Sequence, residues 1–190
     1  DAGDLWLDAY VTDFLSRARA QGYTVPDTAF RNALDNLRNQ VNYAPDFDEG
    51  GGPYAYALMV LAREGAAAIG DLRYYADVKA TAFDTPVAAA QLGAALAAYG
   101  DQRRADAMFT AAAQLLARQG TAEAHLWRAD YGTNLRDAAA LLALATEAGS
   151  AAVDAGTLGG SVASAMAGQR LSTQEAAWAL LATHALIDRP

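Results

Sequence analysis

The feature that most limits the possible folds is a pair of amphipathic helical patterns in residues 4–41. In each pattern apolar residues recur every three or four positions and so share one side of a helix: Leu7, Val11, Phe14, Leu15 and Ala18 in the first, and Phe30, Ala33, Leu34, Leu37 and Val41 in the second. Between them Gly22 suits the end of a helix and Pro26 suits the first turn of the next. This spacing predicts an antiparallel helical hairpin whose apolar sides need further neighbours.

The hairpin plan recurs along the chain. A similar apolar helical segment begins each later pair of predicted helices, and the five first segments are residues 8–15, 55–62, 88–97, 138–145 and 176–182. Their spacing varies by more than ten residues, whereas tetratricopeptide repeats keep a period near 34. Hairpins with uneven loops can close into a ring, with one helix of each pair inside. We therefore predict a single all-α domain over residues 1–190, an α/α toroid that forms a complete or partial ring.

Local signals set the expected helix boundaries. We expect one helix from Pro53 to about Ala68, a restart at residues 84–86, and a last helix opened by a capping box of Ser172 and Glu175. Residues 120–133 predict a loop or a short strand pair. In the glycine-rich stretch 151–168 we expect only a short helix from about Leu158, with residues 156–160 as a helix break.

Composition excludes several classes of function. The net charge is −8 and Lys79 is the only lysine, so a nucleic-acid partner is not expected. No apolar run reaches the roughly 20 residues that span a bilayer, so we expect no membrane insertion by this chain. Cysteine is absent, which removes disulfides, zinc–thiolate sites and thiol nucleophiles. We expect no cofactor, no metal site and no catalytic residue in this chain.

Several side chains are candidates for chemistry, and each is weighed against a structural role. The acidic run of residues 46–49 resembles the acid motif of some terpene cyclases, but it precedes three glycines, which favours a solvent-exposed linker. His184 falls on the last helix, where a surface or interhelical hydrogen bond is the simpler role. Large aromatic residues on the apolar stripes predict core packing: Trp6, Phe14, Phe30, Phe109 and Trp178.

The long connection after the predicted sixth helix holds the remaining candidates. It carries four side chains suited to contacts: His125, Trp127, Asp130 and Tyr131. A lid or a contact with another domain is the functional hypothesis for these residues, and ordinary packing at the end of the ring is the alternative.

Several segments, in this order along the chain, resemble the thioester domain of bacterial alpha-2-macroglobulins. They are WLDAYVTDFL at 6–15, GYTVP at 22–26, ALMVLAR at 57–63, GDLRYYAD at 70–77, AQLGAAL at 90–96, YGTNLRD at 131–137 and STQEAAWALLA at 172–182. The last of these is similar to a segment shared with complement components. The resemblance covers nearly the whole chain.

The resemblance implies an α/α toroid inside a large multidomain protein. That protein is expected in the periplasm or cell envelope, often lipid-anchored to the inner membrane, and is thought to trap foreign proteases. Cleavage by the protease exposes a thioester, which then acylates a nucleophile on the attacker. The other domains of the same chain and the target proteases are thus the expected partners.

One departure from the family pattern concerns the reactive group itself. The family makes its thioester from a short Cys-x-Glu-Gln motif that precedes the segment matching residues 6–15, and this chain has no cysteine. We therefore expect a scaffold without the reactive segment, cut from a longer chain, with an exposed apolar edge where its neighbours are missing. Two alternatives stay open, an α/α-toroid enzyme such as a cyclase or glycoside-processing protein, and a helical-repeat adaptor that binds peptides.

Overall fold

A computed structural model describes residues 4–44, 46–121, 130 and 132–188. In this part of the chain there are nine α-helices and one short 3₁₀ turn, Ala80–Ala82, and no strand. The helices are α1 (Leu5–Ala20), α2 (Asp27–Asn42), α3 (Gly52–Arg63), α4 (Ile69–Val78), α5 (Pro86–Ala98), α6 (Gln102–Thr121), α7 (Asn134–Glu147), α8 (Ala155–Met166) and α9 (Thr173–Ile187). The predicted all-α class is confirmed.

The odd-numbered helices form one inner row. Helix α3 packs against α1 and α5, and α7 packs against α5 and α9, so that the order in space is α1, α3, α5, α7, α9. These are the five first helices of the predicted pairs. The even-numbered helices lie outside, with α2 against α1 and α3, α4 against α5 and α6, α6 against α5 and α7, and α8 against α7. The two end helices, α1 and α9, do not pack extensively against each other in the described residues, so the row is an arc, which is the partial-ring form of the prediction.

The inner helices run parallel to one another. Along α1 and α3, Trp6 contacts Tyr56 near the start of both helices, and Ser16 bonds to Glu64 near their ends. At the start of α9, Gln174 accepts a hydrogen bond from Arg136 at the start of α7. Two faces therefore result, one formed by the N-terminal ends of the inner helices and the other by their C-terminal ends. We call them the N-terminal face and the C-terminal face.

Short polar signals begin and end the helices as the sequence suggests. The Thr85 hydroxyl accepts from the amide of Ala88 at the start of α5, and Ser172 and Glu175 form the predicted capping box of α9. Gly22 and Gly100 adopt φ of +83° and +76°, a left-handed conformation that only glycine takes without cost. Each turn lets an outer helix follow an inner one after a short break.

Two predicted boundaries are wrong. Helix α3 ends at Arg63 and not near Ala68, because Gly65 takes a φ of +69° and turns the chain. Residues 156–160 are not a helix break, since they lie within α8, which begins at Ala155. The Asp154 carboxylate accepts hydrogen bonds from the backbone amides of Gly156 and Thr157 and so caps the start of this glycine-rich helix.

The apolar stripe predicted for α1 does not face the core. Leu7 and Val11 are exposed, and Phe14, which we expected in the core, is 68% exposed. The buried side of α1 instead carries small and polar residues: Ala9, Thr12, Asp13 and Ser16. Periodicity identified the apolar side of this helix correctly, but α3 packs against the opposite side, where Asp13 pairs with Arg63.

The other predicted stripes are buried. Phe30 and Leu37 of α2 and Trp178 of α9 lie in the core, as does Phe109 of α6, while Trp6 is partly buried. Helices α3, α5 and α7 form the centre of the core, and α5 is buried along nearly its whole length. Among the described helices none is long and apolar enough to cross a membrane.

Candidate functional site

A charged cluster joins the inner helices toward the C-terminal face. The Asp13 carboxylate is 5% exposed and accepts hydrogen bonds from Arg17 Nε at 3.2 Å, from the Tyr56 hydroxyl at 3.0 Å and from Arg63 Nη1. Burial, and then the negative charge of Asp13, raise the pKa of the Tyr56 hydroxyl well above its ordinary value. The cluster therefore keeps Tyr56 as a neutral donor to the Asp13 carboxylate.

One ion pair of this cluster reaches across the arc. Arg17 of α1 donates to both carboxylate oxygens of Glu147 at the end of α7, at 2.8 and 3.4 Å. Burial alone would lower the pKa of Arg17, but the carboxylates of Asp13 and Glu147 raise it overall. Helices α1 and α7 are separated by α3 and α5 in the inner row, so this pair ties their C-terminal ends together directly. Such fork-shaped contacts hold two helices in a defined orientation.

A hollow of about 240 Å³ lies at the same end of the inner row. It is lined by Met59, Arg63, Ala94, Ala97, Ala98, Leu144, Glu147 and Ala148, the last turns of α3, α5 and α7. Glu147 is the one carboxylate in this described lining, and it is paired with Arg17. General acid–base hydrolysis of a glycoside uses two carboxyl groups about 5–10 Å apart. The described lining has only one, and that carboxylate is paired with Arg17.

A second charged cluster lies at the N-terminal face. Arg136 of α7 is almost fully buried and donates to Asp137 at 2.8 Å, to Gln174 of α9 at 2.8 Å and to Asp130 at 2.6 Å. Asp130 also accepts from the amide of Gly132 at 3.0 Å. Breaking a buried charge pair of this kind is costly, so the cluster holds Asp130, four residues before α7, against the starts of α7 and α9.

Of the four residues predicted to form a lid or a contact, only one lies in the described part of the chain. Asp130 lies at the N-terminal face, tied to Arg136. His125, Trp127 and Tyr131 lie outside the described residues, as does most of the predicted loop or strand pair. Arg136 was not singled out from the sequence. A charged residue three positions into a predicted helix is ordinary, and only its burial among three partners shows its role.

The acidic run of residues 46–49 is exposed and paired with a lysine. The Asp46 and Asp48 side chains are 75% and 89% exposed, which confirms the solvent-exposed linker. Both accept a hydrogen bond from Nζ of Lys79, at 3.0 and 2.7 Å. The sequence interpretation missed this pairing because residues 46 and 79 are far apart in the chain. Phe47 between them is stacked on Tyr54 and fixes the loop.

The remaining charged candidates have surface roles. His184 lies exposed on α9 with Nδ1 3.0 Å from Asp188, which confirms a helix-surface position. Arg104 pairs with Asp101 and with Asp77. In the part of the chain that the structure describes, no three His, Cys, Asp or Glu side chains are grouped in a way that could hold a metal ion.

Comparison with known proteins places these features in a family. No family model matches the chain. Alpha-2-macroglobulin of Escherichia coli (strain K12) is 34% identical over 200 residues, covering 98% of this chain and 12% of that protein. A cryo-EM reconstruction of the native conformation of the E. coli protein superposes with a TM-score of 0.79 at 32% identity, over 99% of this chain and 12% of that one.

Two further structures show related proteins after reaction. The crystal structure of Salmonella alpha-2-macroglobulin reacted with methylamine matches with a TM-score of 0.78 at 34% identity, over 96% of this chain and 12% of that one. E. coli alpha-2-macroglobulin activated by porcine elastase matches with a TM-score of 0.77 at 33% identity, over 98% and 17%.

The described residues form an all-α arc of parallel inner helices with a charged cluster at each face. With this identity over nearly its whole length, the chain belongs to the bacterial alpha-2-macroglobulin family. It spans about an eighth of the length of the relatives it matches, 12% of the E. coli protein.

Proposed function

We propose that the chain, residues 1–190, is a single domain that forms most of the thioester-carrying toroid of a bacterial alpha-2-macroglobulin, a broad-range inhibitor that traps proteases. The chain itself performs no catalysis. Its role is to support and shield the thioester until cleavage of the parent protein rearranges the domains. The thioester segment belongs to another part of the parent, since this chain has no cysteine.

The observation that carries this proposal is the contrast between the ends and the middle of the inner row. Helices α3, α5 and α7 are covered on all sides, whereas α1 exposes Leu7, Val11 and Phe14 along one stripe and α9 exposes Leu180 and Ile187. Exposed apolar stripes on the two end helices support further helices of the parent that pack there and extend the arc toward a ring. A segment with the thioester would then be held between α9 and α1.

Two properties of the relatives support the chemistry. The Salmonella relative was studied after reaction with methylamine, a small primary amine, and an amine attacks an electrophile such as a thioester. The E. coli relative was studied after activation by a protease, elastase. We propose the same sequence for the parent of this chain, with proteases as targets and the other domains of the parent as its permanent partners. Its location would be the periplasm or cell envelope, by anchorage of the parent to the inner membrane.

The contact site of the domain is proposed at the N-terminal face. Asp130 is held there by Arg136, and His125, Trp127 and Tyr131 lie near it in the sequence, outside the described residues. We propose that these four residues contact a neighbouring domain of the parent. Substituting Asp130→Ala would release the anchored end and lower the affinity between the separated domains, which titration calorimetry would measure.

The reading frame of the parent tests the proposal. We expect a Cys-x-Glu-Gln motif shortly upstream of residue 1 within a very long chain. A start codon immediately before residue 1 would overturn it. Finding the Cys-x-Glu-Gln motif would also count against the toroid enzyme and the peptide-binding adaptor, because neither needs such a motif.

A second test uses the exposed stripes. In the intact parent, Leu7 and Phe14 should be covered, so cysteines introduced at these positions would resist a thiol reagent there and react with it in the 190-residue chain alone. A cysteine introduced at exposed position 43 is the matched control and should react in both. Equal reactivity at position 14 in the chain and in the parent would contradict the proposal.

A further inference from the structure

The chain is poor in primary amines. Thirteen of its fourteen basic Lys and Arg residues are arginines, and Lys79 is the single lysine. A guanidinium stays protonated at any physiological pH and is not a nucleophile, whereas a lysine releases a nucleophilic amine when it loses its proton. Lys79 is therefore the one side chain in the sequence that could attack a carbonyl as an amine.

The structure holds this amine in a defined cage, which we call the Lys79 cage: Lys79 with the carboxylates of Asp46 and Asp48. Nζ lies 3.0 Å from Asp46 Oδ2 and 2.7 Å from Asp48 Oδ1. The lysine side chain is only 13% exposed, although both carboxylates are open to solvent. Lys79 also follows the last residue of α4, where the helix carbonyls favour a positive charge.

Phe47 sets the geometry of the cage. Its ring stacks on Tyr54 with 4.5 Å between centroids and also contacts Tyr75 and Phe83, at 5.8 and 5.9 Å. With Phe47 anchored in these rings, the residues on either side of it are both directed to Lys79. The Asp-Phe-Asp sequence thus places two carboxylates next to one ammonium group.

Acyl transfer requires the neutral amine. Its lone pair attacks the carbonyl carbon of a thioester, the C–N bond forms as the C–S bond breaks, and the amine proton passes to the departing thiolate, leaving an amide and a thiol. An ordinary lysine at pH 8 is roughly 0.4% neutral. Hydrogen bonds from Nζ to Asp48 and Asp46 raise the pKa of Lys79, and each unit of increase lowers the neutral fraction about tenfold.

We infer that Asp46 and Asp48 hold the only lysine of the chain as a shielded ammonium, so that the domain does not consume its own parent's thioester. This inference rests on the proposed function for its purpose. The caged state of Lys79 itself depends only on the residues of this chain. An exposed lysine on the same scaffold would be free to compete with the amines of a trapped protease.

The test measures acylation of Lys79 in the 190-residue chain by S-phenyl thioacetate at pH 8. The Arg31→Lys variant supplies an exposed reference amine in the same molecule, since Arg31 is exposed and forms no ion pair or hydrogen bond among the described residues. Peptide mapping by mass spectrometry gives the acetylation rates at positions 79 and 31. We expect position 79 to react at least about tenfold more slowly, because its neutral fraction is lower by that factor for each unit of pKa.

The cage is then opened by Asp46→Asn with Asp48→Asn in the Arg31→Lys background. The rate at position 79 should then rise toward the rate at position 31, because the two carboxylates that hold Nζ as an ammonium are gone. The single change Asp48→Asn should give an intermediate ratio, and it serves as the measurement if the double variant loses its circular dichroism spectrum. Equal rates with both carboxylates present, or an unchanged ratio after their removal, would overturn the inference.

The result is separable from the proposed function. The reagent supplies the thioester, so a parent without Cys-x-Glu-Gln would overturn the proposed function and leave the measured cage intact. A Lys79 that reacts as fast as the reference would overturn the inference while the proposed function stands.

Discussion

Replacing Asp13 by alanine should remove much of the stability of the arc. In the native chain the buried carboxylate accepts from Arg17, from the Tyr56 hydroxyl and from Arg63. The substitution leaves two guanidinium groups without this partner and a buried hydroxyl without its acceptor. Removing one partner of a buried charge pair costs about 3–5 kcal/mol, and an unsatisfied buried hydroxyl costs about 1–3 kcal/mol.

The expected loss is smaller than the sum of these two costs. The Arg17 and Arg63 side chains are 22% and 27% exposed, and Arg17 keeps its pair with Glu147, so both can regain water or another partner. We therefore expect Asp13→Ala to lower the free energy of unfolding by about 3 kcal/mol. For a domain of this size the melting temperature should fall by roughly 6–12 °C.

Urea unfolding followed by far-UV circular dichroism measures this loss. The matched control is Asp35→Ala, which removes an exposed ion pair with Arg38 on α2 and should change stability by less than about 0.5 kcal/mol. Both substitutions replace an aspartate by alanine within a helix, so the gain in helix propensity cancels. A difference between the two variants below about 1 kcal/mol would refute the role given to Asp13.

Three further predictions follow from the same structure. Gly93→Ala should destabilise the chain by about 1–3 kcal/mol, because the added Cβ would lie 3.2 Å from the Ala105 carbonyl oxygen and from Phe109. Gly160→Ala, on the open side of α8, should instead stabilise the chain by about 0.5–1 kcal/mol, and thermal melts of both variants test the contrast. The wild-type chain should lose stability as the pH rises above about 10, since the unfolded state releases the Tyr56 proton while the folded state, in which the pKa of Tyr56 is raised, retains it. In urea titrations at several alkaline pH values Tyr56→Phe should flatten this decline, and an unchanged slope would contradict the prediction. Phe14→Gln should alter the free energy of unfolding by less than about 0.5 kcal/mol and reduce self-association in sedimentation experiments, and a loss above about 1.5 kcal/mol would mean that Phe14 is packed in the isolated chain.

Local signals in the sequence predict most of the helices and their spatial order. Helix caps such as Thr85 and the Ser172–Glu175 pair depend on residues within one turn, so they can be recognised from the sequence alone. The recurrent apolar segments predict which helices are inside, because an inner helix must be apolar on several sides. Helix α8 was underestimated since its glycines count against a helix, while the Asp154 cap and contact with α7 act in its favour.

The charged clusters could not be predicted in the same way. Asp13 meets Tyr56 and Arg63, and Arg17 meets Glu147, across 43 to 130 positions of the chain. No periodicity encodes such pairs. The same clusters explain why the apolar stripe of α1 faces outward, because the opposite side of the helix is held by ion pairs and hydrogen bonds. An amphipathic pattern shows which side is apolar and leaves open which molecule or segment covers it.

The most direct test of the proposed function is a thiol titration of the full-length parent protein. Free thiols are measured before and after methylamine treatment, under conditions that keep the protein folded. A thioester that is held by this domain predicts that about one thiol per chain appears after treatment, and that a parent with the motif cysteine replaced by alanine shows no such increase. An unchanged thiol content in the unsubstituted parent would contradict the account.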